Sequence, residues 1–121
     1  RYDNVFSSHP LINSPFLPSY VTQHSWYMYA VALENSVPRD RVVKELENTG
    51  IETRLSFPPI HLQPFYQECF GYVNEDYPTS VRAWSQLLDI PIWPGLPEDV
   101  QDRVIRSLIS AVESAAESVV I

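Results

Sequence analysis

Glycine and cysteine are both scarce in this chain. Its 121 residues hold three glycines, Gly50, Gly71 and Gly95, and one cysteine, Cys69. Three scattered glycines cannot build a Gly-rich phosphate loop or a Gly-x-Ser-x-Gly nucleophile elbow. A lone cysteine cannot close an internal disulfide, which fits a reducing compartment and a cytoplasmic location. Lysine is scarcer still. Lys44 is the single one, in Arg41-Val42-Val43-Lys44-Glu45-Leu46-Glu47, off the apolar side of a helical pattern. A lysine that forms Schiff bases needs desolvation or a neighbouring cation to shed its proton, and Lys44 has glutamates instead. It reads as a surface lysine.

Further absences narrow the function. No run approaches 18 apolar residues, so no membrane span is expected. The net charge of −7 argues against nucleic acid or an anionic membrane as partner. His9, His24, His61 and Cys69 lack the paired short spacing of metal ligands, so no metal site is expected. Asp99 and Asp102 lie beside Arg103 and Arg106 in a helical stretch and read as a solvated face rather than an acid/base pair.

Proline and aromatic residues, by contrast, are plentiful, with eleven prolines, seven tyrosines, five phenylalanines and three tryptophans. The length and 45% hydrophobic content suit one domain with one core. Tyr2, Val5 and Phe6 have helical spacing with no capping residue before them, which suggests the end of a helix begun elsewhere and a chain that is a piece of something longer. Residues 7–23, broken by Pro10, Pro15 and Pro18, should be irregular or extended. Trp26 to Leu33 predicts a buried strand. Pro38 opens a helix whose inner face is Val42, Val43 and Leu46, and Gly50 ends it. The alternation over 51–56 predicts a second strand, and a long loop runs on to Asp76. Pro78 opens a helix carrying Val81, Trp84 and Leu88, Ile90 to Pro94 predicts a short edge strand, and a last helix follows Pro97. The order is β-α-β, a loop, then α-β-α.

The most informative stretch is Phe57-Pro58-Pro59-Ile60-His61-Leu62-Gln63-Pro64-Phe65-Tyr66. Its three prolines stiffen a loop that presents Phe57, His61 and Tyr66 in fixed directions, as a binding site needs. The other reading is a tight turn whose aromatic residues only cover the core, with His61 a structural loop histidine.

With Gly50-Ile51-Glu52-Thr53-Arg54 before it, this stretch resembles the small domain of the DegT/DnrJ/EryC1/StrS sugar aminotransferases, nearest the perosamine-synthase-like branch. Ser25-Trp26, Arg39-Asp40, Tyr77-Pro78 and Leu87-Leu88-Asp89-Ile90-Pro91 extend the likeness over nearly the whole chain. The resemblance implies the α+β C-terminal domain of fold-type-I pyridoxal phosphate enzymes, with a short, mostly antiparallel sheet packed by helices. Residues 1–121 would be one domain, and 1–23 the end of an interdomain helix and a linker. The implied reaction is amino transfer from an amino-acid donor to a nucleotide-linked 4-keto-6-deoxy sugar in a homodimer. The implied cofactor lysine lies in an N-terminal domain outside this chain, which should be inactive alone.

Carried over residue by residue, the likeness places His61, Phe57, Arg54 and Trp26 against substrate and His24 and Ser25 against cofactor, with no catalytic residue. Arg54 suits a diphosphate, or equally an ion pair with Glu52 or Glu68. The chain departs from the branch at Leu55 and Ser56, where a proline and a second aromatic residue are usual, and so leaves the sugar and nucleotide open. The competing function is a free-standing binding or dimerisation module that has kept the fold.

Overall fold

The computed structural model describes residues 1–118. Among them, five α-helices, α1 (Tyr2–Phe6), α2 (Arg39–Asn48), α3 (Pro64–Phe70), α4 (Pro78–Gln86) and α5 (Glu98–Glu117), accompany three short strands, β1 (Ile12–Asn13), β2 (Tyr29–Leu33) and β3 (Leu87–Ile90). The strands form one antiparallel sheet with β2 in the middle. The expected α+β class with a short antiparallel sheet is what the chain adopts. None of the described helices is long and apolar enough to cross a membrane.

The pleat of β2 explains where the core sits. Tyr29, Val31 and Leu33 alternate along it and are buried, while Ala30 and Ala32 on the other face are half-buried. The long helix α5 supplies Val104, Ile105, Leu108, Ala111, Val112 and Ala115 at helical steps, and α2 adds Val42 and Leu46. Tyr2 and Phe6 of α1 enter the same cluster. Each such large side chain stabilises the fold by about 1.5–3 kcal/mol on burial. Arg1 holds α1 to the start of α5, donating to Glu98 at 3.0 Å in its first turn and to Asp102 at 2.6 Å in its second.

Helix α2 ends as its sequence requires. Gly50 has φ +74°, its N–H donates to Glu47 at 2.9 Å, and the Ile51 N–H donates to Leu46 at 2.9 Å. That pair of bonds satisfies the last carbonyls and needs a residue free to be left-handed.

Five expectations are corrected. The strand expected from Trp26 begins only at Tyr29, because Trp26 is left-handed (φ +48°) and Tyr27 and Met28 are exposed. The 51–56 strand reduces to one bridge, in which Arg54 and Asp89 exchange backbone bonds of 3.1 and 2.9 Å. Pro91 follows β3 and cannot donate, so the ladder has nowhere to continue. For the same reason the strand expected over Ile90–Pro94 lies earlier, at Leu87–Ile90, and takes Leu88 from the helix to the core. The loop before Asp76 contains α3, with Pro64 at its first turn and Gly71 (φ +71°) closing it. Lastly, the irregular 7–23 segment includes β1, paired with Ala32 and Leu33.

Candidate functional site

The proline loop follows the Arg54–Asp89 bridge and is pinned from outside. The Trp84 indole N–H of α4 donates to the Ser56 carbonyl at 2.9 Å. Arg39, opening α2, lies over the Trp84 ring at 5.4 Å and donates to the Trp84 carbonyl at 2.6 Å. One cation–π contact and two hydrogen bonds thus join α2, α4 and the loop.

The loop and α4 enclose an open hollow of about 630 Å³. Phe57 stands at its wall with 86% of its surface exposed, while His61 is only 7% exposed. The His61 ring lies 4.8 Å from Tyr77 and 6.4 Å from Tyr72, and a chain of ring contacts runs on through Phe70 to Tyr66 and Phe65. The Nε2 atom of His61 is buried without a hydrogen-bond partner among the described residues. A hydrogen-bonding group held in an aromatic wall orients a polar ligand, while the rings cover its apolar face. Tyr77 is raised above the usual phenol pKa, first by its hydrogen bond with Tyr72.

A second hollow, of about 440 Å³, lies where the Arg54–Asp89 bridge meets the end of β3. Directly opposed residues of an antiparallel pair share a face, so Arg54, Asp89 and Ala30 point the same way. Arg54 is exposed and has no ion pair among the described residues, with either Glu52 or Glu68. Asp89 is 7% exposed, and its Oδ1 and the Thr53 Oγ1, both buried, lack partners among the described residues. Burial raises the Asp89 pKa, and the nearby Arg54 charge pulls it partly back.

That shift has a measurable sign. The folded chain holds the Asp89 proton more tightly than the unfolded chain, so stability falls as pH rises from the ordinary value of 3.8 toward the raised one. Asp89→Asn is therefore expected to be the more stable form at pH 7. Its advantage should vanish below the ordinary carboxylate range. Thermal melts across pH would show the two curves converging in acid, and parallel curves would refute the assignment.

A third hollow, of about 460 Å³, adjoins the second through Tyr27, Ile92 and Trp93 and is lined also by Ser25 and Trp26. Trp26 adopts φ +48°, a left-handed conformation costly for a bulky residue, where its ring stacks on Tyr29 at 5.4 Å. The His24 ring lies 4.3 Å from it, and its Nδ1 accepts the Trp26 N–H at 3.0 Å.

The expected site residues are thus brought together in part. His61 and Phe57 share the first hollow, Arg54 lines the second, and Ser25 and Trp26 line the third with His24 against Trp26. Trp84, Tyr77, Thr53 and Asp89 also belong to these walls, and Arg39 backs Trp84. The sequence carries one signal for Asp89, a single charge inside the apolar run Leu87–Pro91. Lys44 is exposed on α2 and lines none of the three hollows. With two exposed polar side chains, His24 and Ser25, and no lysine at hand, the described residues do not by themselves make a pyridoxal phosphate site.

Comparisons with known proteins bear on this arrangement. Residues 1–109 match the profile of the DegT/DnrJ/EryC1/StrS aminotransferase family. The spore coat polysaccharide biosynthesis protein SpsC of Bacillus subtilis is 29% identical over 119 residues, covering 95% of this chain and 30% of that protein. DesV of S. venezuelae is 28% identical with a TM-score of 0.75, over 93% of this chain and 29% of its own. The putative sugar aminotransferase Spr1654 of Streptococcus pneumoniae, solved in its PMP form, shares the fold with a TM-score of 0.82 at 20% identity. That match spans 94% of this chain and 29% of the other. The chain spans less than a third of the length of each of these relatives.

Proposed function

The chain belongs to the DegT/DnrJ/EryC1/StrS aminotransferase family, and from that premise we propose that it is the C-terminal domain of a longer sugar aminotransferase. Residues 1–121 form that domain, with 1–23 as its approach from the rest of the protein. The enzyme moves an amino group from an amino acid to a 4-keto-6-deoxy sugar carried on a nucleotide, working as a homodimer in the cytoplasm. Pyridoxal phosphate supplies the electron sink when bound. In this reading its lysine and most of its contacts lie outside this chain, which the exposure of Lys44 supports, with His24 and Ser25 adding polar contacts at the edge.

The observation that carries this reading is the pairing of exposed Phe57 with the unpartnered Nε2 of buried His61 on one stiff wall. Phe57 offers a flat face to the C–H side of a sugar ring. His61 offers one hydrogen bond to a hydroxyl or phosphate oxygen and fixes the ring's orientation. Arg54 meets the diphosphate as a planar cationic fork, and Trp26 closes the substrate side. These are binding and positioning roles, since the bond-making chemistry lies elsewhere.

The test uses the full-length protein with pyridoxal phosphate, an amino-acid donor and a panel of nucleotide-linked 4-keto-6-deoxy sugars. Amino sugar product is expected by mass spectrometry. Phe57→Ala is expected to lower kcat/KM about tenfold, the scale of one lost aromatic contact. Failure to aminate any member of the panel, or an unchanged rate in both Phe57→Ala and His61→Ala, would reject the reading.

A further inference from the structure

The backbone at His61 is held on both sides. Pro59 and Pro64 flank the Ile60–Leu62 turn, in which the Leu62 N–H donates to the Pro59 carbonyl at 2.9 Å and the Gln63 N–H to the Ile60 carbonyl at 3.0 Å. These contacts fix where the side chain starts and leave its ring two rotatable bonds. Nε2 is buried without a partner among the described residues, so no hydrogen bond at that atom sets the ring's direction. Ring contacts do so instead. Tyr77 lies 4.8 Å from His61, Tyr72 stands edge-on at 6.4 Å, and the two tyrosines are 5.7 Å apart. Three rings in mutual contact close a triangle in which none turns without displacing another.

Tyr77 is itself mounted on α4. It immediately precedes Pro78, and its carbonyl accepts the Val81 N–H at 3.1 Å, closing the first turn of the helix. Tyr77, Ser80 and Trp84 recur at steps of three and four residues and share the face that lines the first hollow. At one end of that face Trp84 holds the Ser56 carbonyl ahead of the proline loop, and at the other Tyr77 meets the histidine ring. About two turns of helix separate the two contacts. One rigid element thus touches the loop twice, once on its path and once on its side chain.

We infer that Tyr77 is the positioning residue of His61: its ring, backed by Tyr72 and carried by α4, aims Nε2 into the first hollow. The inference rests on the functional reading above and adds a residue to the site that reading describes. The ring of Tyr77 acts here, and its hydroxyl does not.

A double-mutant cycle in the full-length protein tests it. Tyr77→Leu removes the ring and is expected to lower kcat/KM for the nucleotide-linked sugar about tenfold, while Tyr77→Phe keeps the ring and should stay within about twofold of the unaltered protein. In a His61→Ala background Tyr77→Leu should cost nothing further, because no ring is left to aim. Additive losses would overturn the inference and assign Tyr77 a contact of its own. So would a Tyr77→Phe variant as impaired as Tyr77→Leu, since the hydroxyl would then be the acting group. Tyr77 is 46% exposed and lies outside the hydrophobic core, so the fold should survive both changes. Tyr72→Leu removes the edge-on contact and must show the same coupling to His61, which settles the question even where Tyr77→Leu fails to fold.

A second readout does not depend on activity. The His61 ring protons, assigned in NMR spectra by their disappearance in His61→Ala, should shift in Tyr77→Leu and hold in Tyr77→Phe, which alone keeps the ring that shields them. Resonances unmoved in both would overturn the inference and leave the aminotransferase reading intact. Resonances that move in a protein that aminates no sugar would reject that reading and keep the role of Tyr77.

Discussion

Trp84→Ala is expected to destabilise the folded chain by about 3 kcal/mol, the scale of a large aromatic truncation. For a domain of this size that lowers the melting temperature by roughly 10 °C. The loss has separable parts. The indole packs as a half-buried side chain, carries the Arg39 guanidinium at 5.4 Å, and holds the Ser56 carbonyl at 2.9 Å. Trp84→Phe keeps a ring and a cation–π surface while removing only the N–H, so it should cost about 1 kcal/mol. Because Ser56 immediately precedes Phe57, the alanine variant should also expose the loop to faster amide exchange at 60–62, where the Leu62 N–H bonds to the Pro59 carbonyl at 2.9 Å. Denaturation and exchange measurements on the same samples decide the matter. A variant as stable as the parent would show that the loop holds itself and the pinning contacts are incidental.

The second large effect is functional. Arg54→Ala in the full-length protein should raise the KM for a nucleotide-linked sugar about 100-fold, within the range of a lost charge-assisted contact. The turnover number should change little, because the proposed contact exists equally before and during reaction. Arg54→Lys keeps the charge but not the planar fork and should recover part of the loss. The fold should survive both changes, since Arg54 joins Asp89 through backbone atoms and its exposed side chain has no ion pair among the described residues. An unaltered KM would remove Arg54 from the substrate's path.

How much of this was legible in the residues depends on what each segment packs against. α2 and α5 show their periodicity because each buries one continuous stripe, Val42 and Leu46 in one and Val104 through Ala115 in the other. α3 shows none because it buries no residue, so no apolar rhythm distinguishes Pro64–Phe70 from a loop. The two-residue β1 has its identity conferred by Leu33 and Ala32, far away in sequence. The alternation in 51–56 is real, with Ile51 buried and Glu52 exposed, yet pairing needs a partner with donors and Pro91 ends the supply.

The site divides along the same line. His61 and Phe57 were readable because prolines cluster around them, and a rigid turn leaves its trace in local composition. Tyr72, Tyr77 and Trp84 complete the wall from 11 or more residues further along the chain than His61, beyond what any spacing rule reaches. Asp89 owes its burial to strand register, and register is a property of pairs of segments. What the sequence hid was therefore convergence, not chemistry.

The exposure of α3 has one practical consequence. Cys69, the single cysteine of the chain, lies on this helix and is exposed. A thiol-reactive dye therefore modifies one position of these 121 residues, beside the ring chain that runs from Phe65 to Tyr77. Its emission and its rate of attachment on the purified chain become an optical readout of whether that surface is wet or covered.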